Sequence, residues 1–305
     1  MRSPWLARGG VIALAVVVLA LSMLAYARVN AGWTPGFPDA GPSSPQSTSG
    51  APAPTSDGST PAPSIEPTDA TPAPTVETER MLALGSTAWW RASAGSCGEV
   101  APVLERSVDG GATWAQVSPG AAAGTQIAAI SAQSDAGTDL VAVGAGCEGV
   151  VGLLSTDQGG SWTESEDAAT ASVYVDPADT ARVAVYRATV DAPCAQARSA
   201  TAAQGDVAIL CDGTAYVLDA TNTWVGAPIA NVSAIALDDG VLFAAHRRDD
   251  CAGLAVSPVS VTDMTVGSDT VCLEGVDPAT SVALGASGDQ LVLWAGDQML
   301  TAPRV

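Results

Sequence analysis

Short apolar runs, each followed by turn-forming residues, make up most of the chain after residue 80. Runs such as DLVAVGAG, DVAILCDG and DQLVLWAGD are rich in Val, Ile and Leu, and Gly, Asp or Asn interrupts them at regular intervals. No 3.6-residue periodicity persists over ten positions, so the abundant alanine does not indicate helices. Short strands with regularly spaced turns are typical of all-β domains. The pattern therefore predicts an all-β fold for residues 80–305.

One turn pattern occurs more than once. SVDGGATW at Ser107–Trp114 returns as STDQGGSW at Ser155–Trp162, and a weaker copy, VLDATNTW, has Thr221 in place of Gly. The Asp can accept hydrogen bonds from its own turn, Gly can supply the positive φ, and Trp can pack over the hairpin between neighbouring sheets. A structural role is therefore expected, and a metal ligand or catalytic acid is the alternative. The residues assigned to the structural role are Ser107, Asp109, Gly111, Thr113, Trp114, Ser155, Asp157, Gly159, Ser161, Trp162, Asp219, Thr223 and Trp224.

This S-x-D-x-G-x-[ST]-W arrangement resembles the Asp-box, or BNR repeat, of the sialidase-like β-propellers, a superfamily that includes propellers similar to photosystem II assembly factors. In that family the box forms the hairpin between the third and fourth strands of a blade. The resemblance implies a β-propeller of about five to six four-stranded blades, with six if residues 170–227 contain two short ones. The C-terminal SVALGASGDQLVLWAGDQML is expected to complete the blade that begins at Met81.

The cysteines support the same repeat. All of them lie after residue 80, and an even number in an oxidising compartment predicts disulfides. No CxxC or Cys/His spacing indicates zinc. The cysteines at 97, 147, 194 and 251 are spaced by about 50 residues, near one blade per repeat, and are expected in equivalent loops between second and third strands. The expected pairs are Cys97–Cys147 across neighbouring blades, with Cys194–Cys211 and Cys251–Cys272 more local.

The N-terminus has a different character. Arg2 and Arg8 precede an unbroken apolar run that ends at Ala27, which predicts a cytoplasmic segment at 1–9 and a transmembrane helix at 10–28. The AYA at 25–27 resembles a signal-peptidase site, so cleavage after Ala27 is the alternative. Residues 29–79 are rich in Pro, Ser, Thr and Ala and predict a disordered spacer. The β domain at 80–305 would then lie outside the cell membrane.

Charge narrows the range of partners. The net charge is -20, and all twelve basic residues are arginines, which together with abundant Ala, Gly and Val suggests a high-GC bacterium such as an actinobacterium. A surface this acidic repels phosphate backbones, which excludes nucleic acid as a partner. No sequence motif indicates a cofactor or a metal. The expected partner is a protein or a glycan at the cell surface, with the membrane contacted through the N-terminal helix.

The sialidase-like family that the chain resembles includes enzymes. Sialidases of this fold use three arginines, a Tyr activated by a Glu, and an Asp acid, and the first arginine lies in a Phe/Tyr-Arg-Ile-Pro motif. The nearest string here is YRAT at 186–189, which lacks Ile-Pro. Tyr174, Tyr186 and Tyr216 are the candidate nucleophiles, and none has a Glu close in sequence. A non-catalytic binding or assembly module is therefore predicted, and a cell-surface glycoside hydrolase is the alternative.

A polar cluster, HRRDDC, contains the only histidine. It is interpreted as an exposed loop of mutually screening charges, or as a recognition loop on the face opposite the Asp-boxes. The absence of a GxSxG elbow argues against a triad built on this histidine. The possible binding loop in this cluster consists of His246, Arg247, Arg248, Asp249 and Asp250.

Nearer the start of the domain, Trp89 and Trp90 are expected to be one core ring and one exposed ring, or else a sugar platform.

Overall fold

The structure is a computed structural model that describes residues 79–120, 124–132, 137–144, 147 and 149–304. The predicted transmembrane helix and spacer lie outside these residues. Within them, the strands form six antiparallel sheets, each built from consecutive strands of the chain. The all-β fold is confirmed, and the number of sheets falls within the expected range of five to six.

The sheets are numbered in chain order. Sheet I contains β1 (Arg80–Leu84), β2 (Trp89–Ser93), β3 (Val103–Ser107) and β4 (Ala115–Gln116). Sheet II contains β5 (Gln126–Ala132), β6 (Thr138–Val143), β7 (Val150–Ser155) and β8 (Thr163–Glu164). Sheet III contains β9 (Val173–Val175), β10 (Arg182–Val185) and β11 (Ala188–Asp191).

The second half of the domain contains the other three sheets. Sheet IV contains β12 (Ala197–Ala203), β13 (Asp206–Cys211), β14 (Thr214–Leu218) and β15 (Trp224–Gly226). Sheet V contains β16 (Val232–Asp238), β17 (Val241–His246), β18 (Gly253–Ser260) and β19 (Val271–Glu274). Sheet VI contains β20 (Val282–Ser287), β21 (Gln290–Ala295) and β22 (Gln298–Pro303). A short helix, α1 (Glu166–Thr170), connects sheets II and III.

The first strand of each sheet faces the centre of a closed ring. β1 packs beside β5, β5 beside β9 and β9 beside β12, and the ring continues through β16 and β20 back to β1. The apolar cores lie between neighbouring sheets, as in the cluster of Phe243 and Leu254 with Leu284 and Leu293. Burial of these side chains between sheets is what holds the ring together. This arrangement is a β-propeller, with each sheet as one blade.

Two expectations about the blades are corrected. Sheets III and VI have three strands instead of four. The C-terminal segment does not complete the blade that begins at Met81, because β20–β22 pair only with one another and β1–β4 form a full sheet. The ring closes by packing between sheets I and VI. Gly285 permits this contact, since a Cβ there would stand 2.9 Å from Leu84 and 3.0 Å from Leu82.

Helix α1 reverses the direction of the chain before sheet III. The Ser165 hydroxyl caps the helix by accepting from the Ala168 N–H at 3.1 Å, and the helix packs on β7 over Gly152, where a Cβ would meet Ser165 O at 2.3 Å. Ala197, the first residue of β12, then donates to Thr180 O in the β9–β10 turn at 3.0 Å. The turn after β9 therefore lies beside the start of β12, which means that the inner strand β9 runs antiparallel to its neighbour β12.

Alternation of the strands defines two faces of the ring. The cysteine face is formed by the loops β2–β3, β6–β7 and β17–β18, together with the starts of β1, β5 and β12. The Asp-box face, named here only after the sequence pattern at 107–114, 155–162 and 217–224, is formed by the turns β3–β4, β7–β8 and β14–β15. Because β9 runs in reverse, the β10–β11 turn that contains Tyr186 and Arg187 belongs to the end of the ring where the Asp-boxes lie.

Candidate functional site

The two strong Asp-box copies form the same hydrogen-bonded turn. In the first, the Ser107 hydroxyl accepts from Gly111 N–H at 2.8 Å and donates to Asp109 Oδ1 at 2.7 Å. The Asp109 carboxylate also accepts from the Thr113 N–H at 2.9 Å and from the Thr113 hydroxyl at 2.6 Å. These bonds lower the pKa of Asp109 to about 2, with the Thr113 hydroxyl as the largest cause. The carboxylate is occupied within its own turn.

The second copy repeats this geometry at the β7–β8 turn. Ser155 is fully buried, and its hydroxyl accepts from the Gly159 N–H at 2.7 Å. The Ser161 hydroxyl donates to Asp157 at 2.7 Å and is the main cause of the lowered pKa of that carboxyl. Gly111 and Gly159 have φ of 85° and 84°, where a side chain would be strained. The same hydrogen bonds are thus built twice from the same sequence.

The weak third copy forms a related turn between β14 and β15. Asp219 Oδ1 accepts from the backbone N–H groups of Thr221 and Thr223 at 2.8 and 2.9 Å. Since Thr221 replaces the glycine, the left-handed conformation moves one residue on, to Asn222 with φ of 59°. Asn tolerates this region better than Thr does. The hydrogen bonds to the Asp are kept although the turn is different.

The Asp-box tryptophans join neighbouring blades. Trp162 of sheet II lies edge-on to Trp90 of sheet I, with ring centroids 5.9 Å apart. The Trp224 indole of sheet IV donates to Asp191 O of sheet III at 2.8 Å. Arg91 lies 4.5 Å from the Trp114 ring and 5.0 Å from the Trp294 ring of sheet VI. The boxes therefore lie in the seams between blades.

All three disulfides pair as predicted, and none of the described cysteines is free. Cys97–Cys147 joins sheets I and II, Cys194–Cys211 joins the connection before sheet IV to β13, and Cys251–Cys272 lies in sheet V. Cys97, Cys147 and Cys251 lie in loops between second and third strands, as expected. Cys194 does not, because it lies in the connection from β11 to β12. The disulfides fix loops of the cysteine face.

The cluster at 246–250 divides into two parts. His246 is not in an exposed loop but is the last residue of β17, 8% exposed, with Nε2 2.9 Å from the Ser257 hydroxyl. Burial lowers its pKa, and the nearby Arg248 charge adds to this effect. The apolar run VLFAA before it belongs to a central strand, and the His completes that strand. Only residues 247–250 form an exposed turn, in which Arg248 binds the Asp250 carboxylate with two hydrogen bonds at 2.8 and 2.6 Å.

The paired tryptophans are only partly as expected. Trp90 is a core residue with 1% exposure, whereas Trp89 is half-buried and packs against Gly111 of the first Asp-box. Both rings therefore serve the packing of sheet I, and Trp89 does not form an open platform.

A cavity of about 470 Å³ occupies the centre of the ring. The inner strands β1, β5, β12, β16 and β20 line it, mostly with Ala, Leu, Ile, Val and Ser. Among the described lining residues, the charged ones are Glu79, Arg80 and Asp238. Arg80 turns into the seam with sheet VI, where it donates to Gly296 O at 2.5 Å and lies 4.4 Å from the Trp294 ring. Asp238 is paired with Arg304.

Glu79 was not found from the sequence. It lies at the start of β1, and its carboxylate accepts from the Ser199 N–H of β12 at 2.5 Å. Sheets I and IV are not neighbours in the ring, so this side chain crosses the cavity at its cysteine-face end. Burial raises the pKa of Glu79, although the hydrogen bonds from Ser199 and the charge of the exposed Arg198 oppose that effect. Its position at the end of a Pro-rich segment gave no sign of this role.

The groups required by a sialidase are not brought together in the described residues. Tyr186 lines the cavity at the Asp-box end, and Glu79 lies at the opposite end. Arg187, beside Tyr186, points into solvent with a side chain 82% exposed, 3.7 Å from Asp167. Tyr174 is in β9 next to Asp176, and Tyr216 packs over Gly226 in sheet IV. The described residues also contain no cluster of acids, His or Cys suited to a metal.

Comparisons with known proteins give distant structural likenesses. No family model and no curated protein sequence matches the chain. Among solved structures, it is similar to YCF48 bound to D1 peptide, at 14% identity over 74% of this chain and 77% of that one, with a TM-score of 0.39. It is also similar to a GH43_1 enzyme from Xanthomonas citri, at 12% identity over 74% of this chain and 86% of that one, with a TM-score of 0.38. A puromycin hydrolase S511A mutant matches at 11% identity over 74% of this chain and 52% of its own, with a TM-score of 0.42.

Proposed function

We propose that this chain is a membrane-tethered, extracytoplasmic propeller that binds a protein or glycan through its cysteine face and performs no chemistry. The observation that carries the proposal is the fixing of this face by disulfides. Cys97–Cys147 clamps two neighbouring loops, and Cys251 fixes the end of the exposed turn at 247–250. Loops held in one conformation lose less entropy when they bind, which favours recognition.

The exposed turn supplies the chemistry for recognition. Arg247, Arg248, Asp249 and Asp250 present both signs of charge in four consecutive exposed residues. Exposed charge pairs contribute little to stability. Across an interface, in contrast, complementary charges guide association and set specificity. We expect this turn to be at the centre of the contact surface.

Binding is tested with the full chain displayed on cells and used to capture partners from cell-surface extracts. The double variant Arg247→Ala/Arg248→Ala should lose the captured partner. Arg187→Ala is the control, because it removes another exposed arginine, near the Asp-box end, and should leave capture unchanged. Equal capture by the double variant would contradict the proposal.

The glycosidase alternative is tested on the same protein. We expect no turnover of sialyl or other aryl glycosides. Turnover that disappears in Tyr186→Phe or Arg187→Ala would establish the enzyme and overturn the binding module.

The tether is a separate part of the proposal. The apolar run at 10–27 and the Pro-rich segment after it support an anchor and a spacer. Within the described residues no helix is long and apolar enough to span a membrane. After removal of the cell wall, protease added to intact cells should release a soluble domain by cutting in residues 29–79. Recovery of the domain only from the cytosol would contradict the tether.

A further inference from the structure

A buried imidazole lies at the base of the exposed turn at 247–250. His246 is the last residue of β17, so the chain leaves the sheet directly after it and enters the turn. The turn ends at Cys251, which a disulfide joins to Cys272 of β19. In the strand register, His246 lies opposite Ala255 of β18, and Ala255 lies opposite Cys272. One row of residues across sheet V therefore holds both ends of the turn, one end through the disulfide and the other through the imidazole.

Two hydroxyl groups connect the imidazole to the neighbouring strands. His246 Nε2 lies 2.9 Å from the Ser257 hydroxyl, which lies 2.9 Å from the Thr270 hydroxyl. A neutral ring with its proton on Nδ1 accepts from Ser257, and Ser257 can then accept from Thr270. A protonated ring has no acceptor nitrogen, so the Ser257 hydroxyl has to accept from Nε2 and donate to Thr270 instead. The contact between the end of β17 and β18 thus depends on the protonation state of the ring.

The charges that act on the ring come from the turn itself. Burial lowers the pKa of His246, and the Arg248 charge lowers it further, whereas a backbone hydrogen bond with Arg247 and the Asp250 carboxylate have the opposite effect. The Asp250 carboxylate is already paired with Arg248 at 2.6 Å. The side chains of Arg247 and Asp249, in the same turn, are exposed. The turn therefore offers a proton on the ring little compensation for the loss of solvent.

The elements packed around the ring do not supply that compensation either. β16 places Val232 opposite His246, and β18 places Ala255 there. The acids at this end of the facing strands, Asp212 of the β13–β14 turn and Glu274 of β19, are exposed and are not among the charges that shift the pKa of the ring. A proton on His246 therefore places a cation in a largely apolar position. Release of the ring into solvent relieves this cost, because only the last residue of β17 has to leave the sheet.

We propose that His246 makes the turn at 247–250 an acid-sensitive contact surface, in which protonation of the ring frees the end of β17 and weakens binding through the turn. This inference rests on the proposed function, since it assigns a regulation to the same turn. At neutral pH the ring is neutral and the turn is held at both ends. In mild acid the ring takes up a proton and leaves its site, and only Cys251–Cys272 still holds the turn. A loosened turn loses more entropy on binding, so the partner is released.

The titration of the ring itself is the first test. His246 is the only histidine of the chain, so its ring signals in an NMR titration of the full chain in detergent need no variant for their assignment. We expect a midpoint below the ordinary His value of about 6.5. The folded state then binds this proton less readily than the unfolded state, so the stabilisation is present above the ordinary value and is lost as pH falls through the lower, folded one. A midpoint at or above the ordinary value would overturn the proposal.

Hydrogen exchange then locates the structural change. Between about pH 7.5 and about pH 5, exchange corrected for its intrinsic pH dependence should rise at least about threefold in residues 246–251 and stay unchanged in β21. His246→Gln keeps a neutral hydrogen-bonding side chain and should abolish the rise. Glu79→Gln is the control, because burial raises the pKa of Glu79 and makes it the other group expected to titrate in this range. The rise should remain in this control. Its absence from the wild type, or its persistence in His246→Gln, would contradict the switch.

Capture of partners at the two pH values connects the switch to binding. The wild type should capture its partner from the cell-surface extract at about pH 7.5 and lose most of it at about pH 5, whereas His246→Gln should capture it at both. Equal capture by the wild type at both pH values would overturn the switch and leave the proposed function standing. No capture at either pH would contradict the proposed function itself, and the titration of the ring would then describe stability alone.

Discussion

The Ser155 hydroxyl acts at a buried point inside the second Asp-box. It accepts from the Gly159 N–H and donates to Asp157, so it connects the two halves of the turn. Gly159 in turn lies against Trp90 of the neighbouring sheet, where a Cβ would stand 2.6 Å from the ring. A single hydroxyl thus holds both the turn and its contact with sheet I.

Removal of the Ser155 hydroxyl should destabilise the folded protein. Ser155→Ala leaves the half-buried Gly159 N–H without the partner that the buried Ser155 hydroxyl supplies, and we expect a loss of about 1–3 kcal/mol in the free energy of unfolding. Chemical denaturation of both proteins measures it. The control is Ser268→Ala, an exposed serine, for which a change within about 0.5 kcal/mol is expected. Equal stability of Ser155→Ala and the wild type would show that the Ser155 hydroxyl does not stabilise the turn.

Asp109 should make stability depend on pH in acid. Its pKa is lowered from 3.8 to about 2 by hydrogen bonds from Thr113 and Ser107, so the native state binds its proton less readily than the unfolded state does. The stabilisation is present above pH 3.8 and is lost as pH falls toward 2. The melting temperature of Asp109→Asn should therefore differ from that of the wild type most at neutral pH and less near pH 2. A difference independent of pH would contradict this assignment.

Local patterns at the residue scale predicted the Asp-box turns, because every donor and acceptor lies within the same eight residues. The same approach failed for His246 and Glu79. His246 follows an apolar run and is buried because β17 is a central strand, which the polar residues after it concealed. Glu79 and Ser199 are 120 residues apart, so only the closed ring brings them together. Long-range contacts of this kind carry no local signal.

The disulfides act at the scale of strands and loops. Cys97–Cys147 closes a separation of 50 residues and joins two sheets, while Cys251–Cys272 closes 21 residues within one sheet. The sequence predicted Cys97–Cys147 across neighbouring blades, because these cysteines recur at the period of the blades, and Cys251–Cys272 as a local pair. It placed Cys194 wrongly because sheet III is short and reversed, which no spacing indicated.

The longer disulfide loop should be worth more to stability. In the chain-entropy account, closing 50 residues is worth about 4 kcal/mol and closing 21 about 3 kcal/mol. Cys97→Ala/Cys147→Ala should therefore destabilise the protein more than Cys251→Ala/Cys272→Ala does, as measured by denaturant unfolding of each double variant. The reverse order would show that the clamp between sheets I and II contributes less than its loop length predicts.

At the scale of the whole molecule, the seam between sheets I and VI closes the ring without a shared sheet. The Trp294 ring, 6% exposed, is covered by Arg80 at 4.4 Å and Arg91 at 5.0 Å. Arg91 is held in turn by Glu105 at 2.7 Å. The sequence did not predict this closure, because the choice between a shared and a separate last blade depends on packing between the two ends of the chain.

Loss of the Trp294 ring should open the seam. Trp294→Ala is expected to cost about 3–5 kcal/mol, as for other large-to-small changes in cores. Native-state hydrogen exchange should then increase in β1 and in β20–β22 before it increases in β16–β19. Exchange that rises equally in all sheets would show that the ring unfolds as one unit and that the seam between sheets I and VI does not open first.

The consecutive pairing of strands within each sheet also bears on how the protein is made. Sheet I is complete once residue 116 has been synthesised, and each later sheet is complete as its own last strand emerges. Among the described strands, no early one waits for a pairing partner from the other end of the chain, which limits the aggregation-prone surface of a nascent β protein. Blade by blade, the ring can therefore assemble in the order of translation, and only the last packing step, between sheets I and VI, requires β20–β22.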